Sequence, residues 1–205
     1  MLHDIQDSER ELLRLSRRPV PEGVPPVLSA FDVRTNRPVV EFGTRMRAVL
    51  DAALRLALSQ IFDGEDLPVD LVPDWFVAAS RGGRGGREGG WELQSCLYQF
   101  DPENEFRGWV WWDLAETGDG VARVWVDSWG EVFFGCDDFR WLAHVCGGEE
   151  ATGPSLVSAD NVGVSPGPDW PRMRADQADP VSRALLRPKR LLQPIETEQD
   201  QVRST

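Results

Sequence analysis

The sequence predicts an α+β fold: an antiparallel β-meander of about four to five strands packed against one main helix and a short C-terminal helix. An N-terminal helix precedes this unit and a disordered C-terminal tail follows it. Three observations predict the class. Apolar residues recur at 3.6-residue spacing over 44–62, short strand-like segments with tight turns begin at Trp75, and no β-α-β alternation exists to build a parallel sheet. Short consecutive strands joined by tight turns pair antiparallel.

Residues 5–18 read as the N-terminal helix, with Ser8 and Glu11 at capping-box spacing and Ile5, Leu12 and Leu15 on one face. Four prolines between Pro19 and Pro26 make an extended linker, so 1–26 stands as helix plus linker. Residues 27–150 follow as a single α+β domain. Val27–Phe42 holds a short strand or two, with a turn at Thr35-Asn36. Thr44 starts the main helix, which ends at Asp63-Gly64. Its apolar stripe is Met46, Val49, Leu50, Ala53, Leu54, Ala57 and Ile61. Strands are expected at 75–80, 91–100, 109–116, 121–127 and 131–135. Asp137-Asp138 caps a short helix through Cys146, and Gly147-Gly148 stops it. Residues 151–205 are Pro- and Gly-rich and read as a largely disordered tail, with a basic-apolar island at 181–192.

Charge and aromatic residues are concentrated in one part of the chain. The 205 residues carry a net charge of −12, and residues 63–138 hold 17 acids against 5 bases, which accounts for all of it. Eight of the nine tryptophans lie between Trp75 and Trp141. An acidic centre disfavours phosphate-backbone contacts, so no nucleic acid is expected as a partner. No run reaches the roughly 18 apolar residues that span a bilayer, so no membrane partner is expected either. The N-terminus lacks the apolar stretch of a secretory signal, and the expected location is the cytoplasm. Arginine outnumbers lysine 21 to 1, as the codon usage of a GC-rich bacterial genome produces. Two histidines and three cysteines leave little material for a metal site, and neither metal nor cofactor is expected.

The best-defined hairpin joins 109–116 to 121–127 through Thr117-Gly118-Asp119-Gly120. A two- or four-residue loop places Trp112 opposite Trp125 and Trp111 opposite Val126. One face then carries Trp109, Trp111, Asp113, Ala115, Ala122, Val124 and Val126. The other carries Val110, Trp112, Leu114, Arg123, Trp125 and Asp127. Tryptophan and arginine beside carboxylates are the composition of an interface hot spot, so this second face is the candidate interaction surface. A three-residue loop would exchange the faces.

Other patterns have bland explanations. The run from Arg81 to Gly90 has the letters of an RGG box but reads as a connecting loop in an acidic domain. Gly163-Val-Ser-Pro-Gly167 lacks the strand and helix that a nucleophile elbow requires. Cys96 or Cys136 with His144 has the residue types of a nucleophilic dyad without a defining spacing. Asp63-Gly-Glu-Asp66 and Asp101-Pro-Glu-Asn-Glu105 lack a calcium ligand ladder, though their field attracts a basic partner.

The expected function is a non-catalytic module whose acidic, tryptophan-bearing sheet captures a basic protein. The alternative is a small enzyme with carboxylate chemistry at Asp113 and Asp127 in a Trp-lined pocket, for which a desolvated Asp113 supplies the raised pKa of a general acid. In size and charge the chain resembles acidic immunity proteins of bacterial toxin systems, and acidic adaptors or secretion chaperones. That resemblance rests on no motif and carries over no residue.

Overall fold

A computed structural model describes residues 5–16, 24–81, 92–103, 107–131 and 134–158. The elements in chain order are α1 (Ile5–Ser16), β1 (Val27–Thr35), α2 (Val39–Ser59), α3 (Asp74–Arg81), α4 (Leu93–Tyr98), β2 (Val110–Gly118), β3 (Val121–Asp127), α5 (Cys136–Cys146) and β4 (Gly148–Ser158). Residues 19–23 of the expected linker at 19–26, most of the glycine-rich run, Gly163–Gly167 and the island at 181–192 lie outside the described residues.

The four strands form one antiparallel sheet in the order β2-β3-β1-β4. Only β2 and β3 are joined by a tight hairpin, which turns at Asp119-Gly120. The 21-residue α2 carries its apolar stripe into the core. It begins at Val39 rather than Thr44, because Pro38 presets the backbone ahead of the first turn. Ile61 does not belong to the stripe: the helix ends at Ser59 and Ile61 is 82% exposed.

The main core lies between the sheet and the helices. Phe31, Val33, Trp111, Leu114, Ala122, Val124 and Val126 project from the strands onto α2 and α5 residues such as Met46, Leu50, Leu54, Phe139 and Leu142. Phe31 and Phe139 stack with ring centres 4.1 Å apart, and Trp109 meets Phe139 edge-on at 5.5 Å. Such pairs add about 0.5–1.5 kcal/mol beyond area burial.

Two expected strands are helices. Residues 75–80 belong to α3, where the Phe76 and Val77 N–H groups donate to the Pro73 carbonyl. The helix buries Phe76 and leaves Ala78 and Ala79 exposed, so its apolar run was never alternating. Residues 91–100 include α4, whose Leu93, Cys96 and Leu97, with Phe100 in the turn after it, have i, i+3, i+4, i+7 spacing. Of the expected strand at 131–135, the described residues Glu131, Phe134 and Gly135 lie outside any strand.

Strand β4 occupies residues up to 158 that composition assigned to the tail. Its Pro and Gly sit at a bulge, where Gly153 and Pro154 oppose Phe31 while Thr152 pairs Asp32 and Ser155 pairs Ala30. A β-carbon on Gly153 would lie 2.6 Å from the Ala30 carbonyl oxygen, and the backbone there has φ +115°. Gly153→Ala is therefore expected to destabilise the fold by about 2 kcal/mol through strain and collision combined. Urea unfolding measures it, and unchanged stability would show that β4 contributes little.

Candidate functional site

The β2–β3 register decides where the predicted surface residues lie. Trp111 pairs with Val126 as expected, but Asp113 then pairs with Trp125 and Leu114 with Val124. One extra residue on β2 between these pairs is a β-bulge at Trp112-Asp113. Past the bulge every β2 side chain changes face. Leu114, expected beside the tryptophans, is thereby moved into the main core, and Ala115 joins the opposite face instead.

Trp112 and Trp125 do share that opposite face, in a second cluster with Leu28, Ala30 and Ala115. They are only 8% and 7% exposed. Arg14 of α1 lies 5.1 Å from the Trp112 ring centre, within cation–π reach. Arg123 makes a two-pronged bond to Asp32, its cross-strand neighbour, with both contacts at 2.7 Å. That hydrogen bond raises the Arg123 pKa. Both side chains are more than a third exposed, a setting in which ion pairs contribute about 0–1 kcal/mol.

The two carboxylates of the alternative reading have separate partners. Asp113 Oδ1 lies 3.8 Å from the guanidinium of Arg47, which also sits 5.3 Å from the Trp111 ring centre. Asp127 accepts the Trp129 N–H at 2.9 Å and so closes the turn at Trp129-Gly130, where both residues have positive φ. His144 donates Nδ1–H to the Gly148 carbonyl at 3.1 Å, the only role a carbonyl partner permits. Burial pushes the Cys96 thiol up to about 12, with Asp138 adding to it, and burial raises Cys146 and Cys136 as well. A raised thiol is the reverse of an activated nucleophile. Among the described residues no group of three or more His, Cys, Asp or Glu side chains is arranged to hold a metal ion.

The acidic loop between α2 and α3 has a different character. Asp63, Glu65, Asp66, Asp70 and Asp74 are all exposed, and none is ion-paired among the described residues. Side chains of α4 hold this loop in place. Tyr98 Oη accepts the Gly64 N–H at 2.9 Å and donates to the Glu65 carbonyl at 2.7 Å. The Gln94 amide accepts from Leu67 N–H at 2.9 Å and donates to Leu67 C=O at 3.0 Å, as a neighbouring strand would. Leu67 and Val72 anchor it in the core, while Ile61 and Leu71 face solvent. An open groove of about 450 Å³ is lined by Val69, Asp70, Asp74, Val77 and Ala78. A lining that joins apolar side chains to two carboxylates suits the alkyl stem and cationic head of arginine or lysine.

Composition had marked Asp63–Asp66 only as a solvated loop with an attractive field. Its rigidity comes from Gln94 and Tyr98, which the sequence places in a presumed strand. No local signal exposes Leu71 or joins Asp70 to Asp74 over the same groove.

Two measurements test these assignments. Burial raises the Asp127 carboxyl above its ordinary 3.8, opposed by the Trp129 N–H and by Arg14. The folded protein therefore holds this proton more tightly than the unfolded chain, and the associated stability is lost as pH rises through the folded value. Asp127→Asn keeps an acceptor for Trp129. Its stability relative to the unsubstituted protein should increase from pH 3.8 upward and then level off; a difference flat with pH overturns the assignment. Separately, Cys96 and Cys146 should resist a thiol reagent at about pH 8 until urea unfolds the chain. Rapid labelling of either in the folded protein would contradict their burial.

No protein-family model, curated protein or solved structure matches this chain.

Proposed function

We propose that this chain is a non-catalytic protein-binding module that captures a basic protein partner, in an immunity- or antitoxin-like role or as an adaptor or chaperone. The observation that carries the reading is the open groove whose lining combines the carboxylates Asp70 and Asp74 with the apolar Val69, Val77 and Ala78. A long cationic side chain entering it buries its methylenes and keeps its head group at the rim. Asp63, Glu65 and Asp66 extend the same negative field, which speeds the encounter with a basic surface and disfavours acidic competitors. Ile61 and Leu71 supply apolar area that charge alone lacks.

In this reading the docking surface is the α2–α3 loop rather than Trp112 and Trp125. The tryptophan face keeps a supporting part, since Asp32, Arg123 and Asp127 define its polar rim while its rings pack among themselves.

A charge-matched comparison tests the proposal. The probe is a defined peptide of alternating arginine and leucine, followed by fluorescence anisotropy at low and at physiological salt. Neutralising Asp70→Asn with Asp74→Asn should weaken binding roughly tenfold at low salt, with the difference shrinking as salt screens the field. Neutralising Glu116→Gln with Asp119→Asn at the hairpin tip removes the same charge and should have a much smaller effect. Equal effects from both pairs would reduce the interaction to net charge and overturn the proposal.

A further inference from the structure

A small cavity lies beneath α1, lined by Asp7, Ser8, Glu11, Gln99, Phe100, Asp101, Arg107 and Val110, with about 10 Å³ open to the centre of a water molecule. Glu11 is fully buried and Arg107 is 4% exposed. Glu11 Oε1 already serves two partners, the Arg107 guanidinium and the Trp111 N–H at 2.6 Å. Its second oxygen, Oε2, is buried and has no hydrogen-bond partner. Two more atoms of the same lining share that condition, Gln99 Oε1 and Arg107 Nε. Leaving buried polar atoms unpaired costs roughly 1–3 kcal/mol each, and more where the group is charged.

From this juxtaposition we infer that the cavity is a binding site for one water molecule, which completes the attachment of α1 to the domain. Stoichiometry selects the ligand. Two of the three atoms accept hydrogen bonds and one donates. Water donates two and accepts one, so a single molecule satisfies all three. A metal cation or ammonium has no lone pair for the Arg107 N–H and is repelled by the guanidinium. Chloride cannot donate to Glu11 or Gln99. The volume sits at the lower limit for one water and excludes any larger ligand. Three partners is the usual number for a buried water.

The site joins three separate parts of the chain: α1 through Glu11, the turn after α4 through Gln99, and the segment entering β2 through Arg107. The water is therefore a structural ligand shared by these three segments.

The test uses the full chain. In a high-resolution crystal structure an ordered water should lie about 2.6–3.2 Å from Glu11 Oε2, Gln99 Oε1 and Arg107 Nε. Oxygen-17 relaxation dispersion in solution should count one fewer long-lived water in Gln99→Leu, which removes one acceptor and fills the space with a similar side chain. An empty cavity, or a Gln99 amide nitrogen donating directly to Glu11 Oε2, overturns the inference. So does an unchanged count of long-lived waters in a folded Gln99→Leu variant. Should that variant not fold, the crystal structure of the unsubstituted chain decides alone.

Discussion

One buried carboxylate holds the outer edge of the sheet. Glu11 of α1 accepts from the Arg107 guanidinium and from the Trp111 backbone N–H, while Arg14, one turn further along, donates to the Trp111 carbonyl at 2.9 Å. Two side chains thus pair with Trp111 as a fifth strand would. Strand β2 is at the sheet edge, where unpaired backbone groups invite association with another chain. The arrangement has a high cost of failure. Removing one partner of a buried pair leaves the other charge uncompensated, at roughly 3–5 kcal/mol. Arg107 is further fixed between aromatic rings, 4.1 Å from the Phe100 centre and 4.7 Å from that of Trp109. Docking of α1, closure of the edge and entry into β2 therefore depend on the same few atoms.

The bulge at Trp112-Asp113 follows from this edge. It sits beside the residue that α1 engages, and it twists the strand where a straight one would offer a continuous template. It also divides the side chains between two clusters. Leu114 joins Val124 and Trp111 over α2, while Trp112 and Trp125 form the smaller cluster with Leu28 and Ala30. Asp113 is left at the border and meets Arg47 from α2. One inserted residue therefore settles which tryptophans are core and which carboxylate carries an ion pair.

Charge behaves differently from packing. The excess of acids is a property of composition, but its usable part depends on which carboxylates lack a basic neighbour. Asp32, Asp51 and Asp113 each have an arginine close by. Among the described residues those of the α2–α3 loop have no ion-pair partner, and Gln94 and Tyr98 hydrogen-bond to the loop backbone at Gly64, Glu65 and Leu67. A charged surface held rigid loses less side-chain and backbone freedom on binding than a mobile one. This makes Asp70 and Asp74 the better candidates for recognition than the more numerous acids elsewhere.

The sequence by itself determined the α+β class, the helices at α1, α2 and α5, the β2–β3 hairpin, and the Trp111–Val126 pairing. These rest on interactions close along the chain: 3.6-residue spacing, the Asp119-Gly120 turn, and the glycine at the end of α5, whose φ of +113° a side chain rarely adopts. Residues 91–100 read as a strand, although Leu93, Cys96, Leu97 and Phe100 stand at i, i+3, i+4, i+7 spacing. Tertiary structure alone decided the rest. Glu11 and Arg107 are 96 positions apart, and nothing near either predicts their pairing. Ser8–Glu11 reads as a cap, yet Ser8 lies inside the helix and the Glu11 carboxylate serves another element. Strand β4 looks like tail because its Pro and Gly disfavour strands, but β1 supplies a partner that accommodates them at a bulge. The register past Trp112 was likewise undetermined, because a one-residue bulge leaves local spacing unchanged while reversing every side chain beyond it. Contacts of low sequence separation are written in propensity and period; contacts of high separation depend on which surfaces the folded chain brings together.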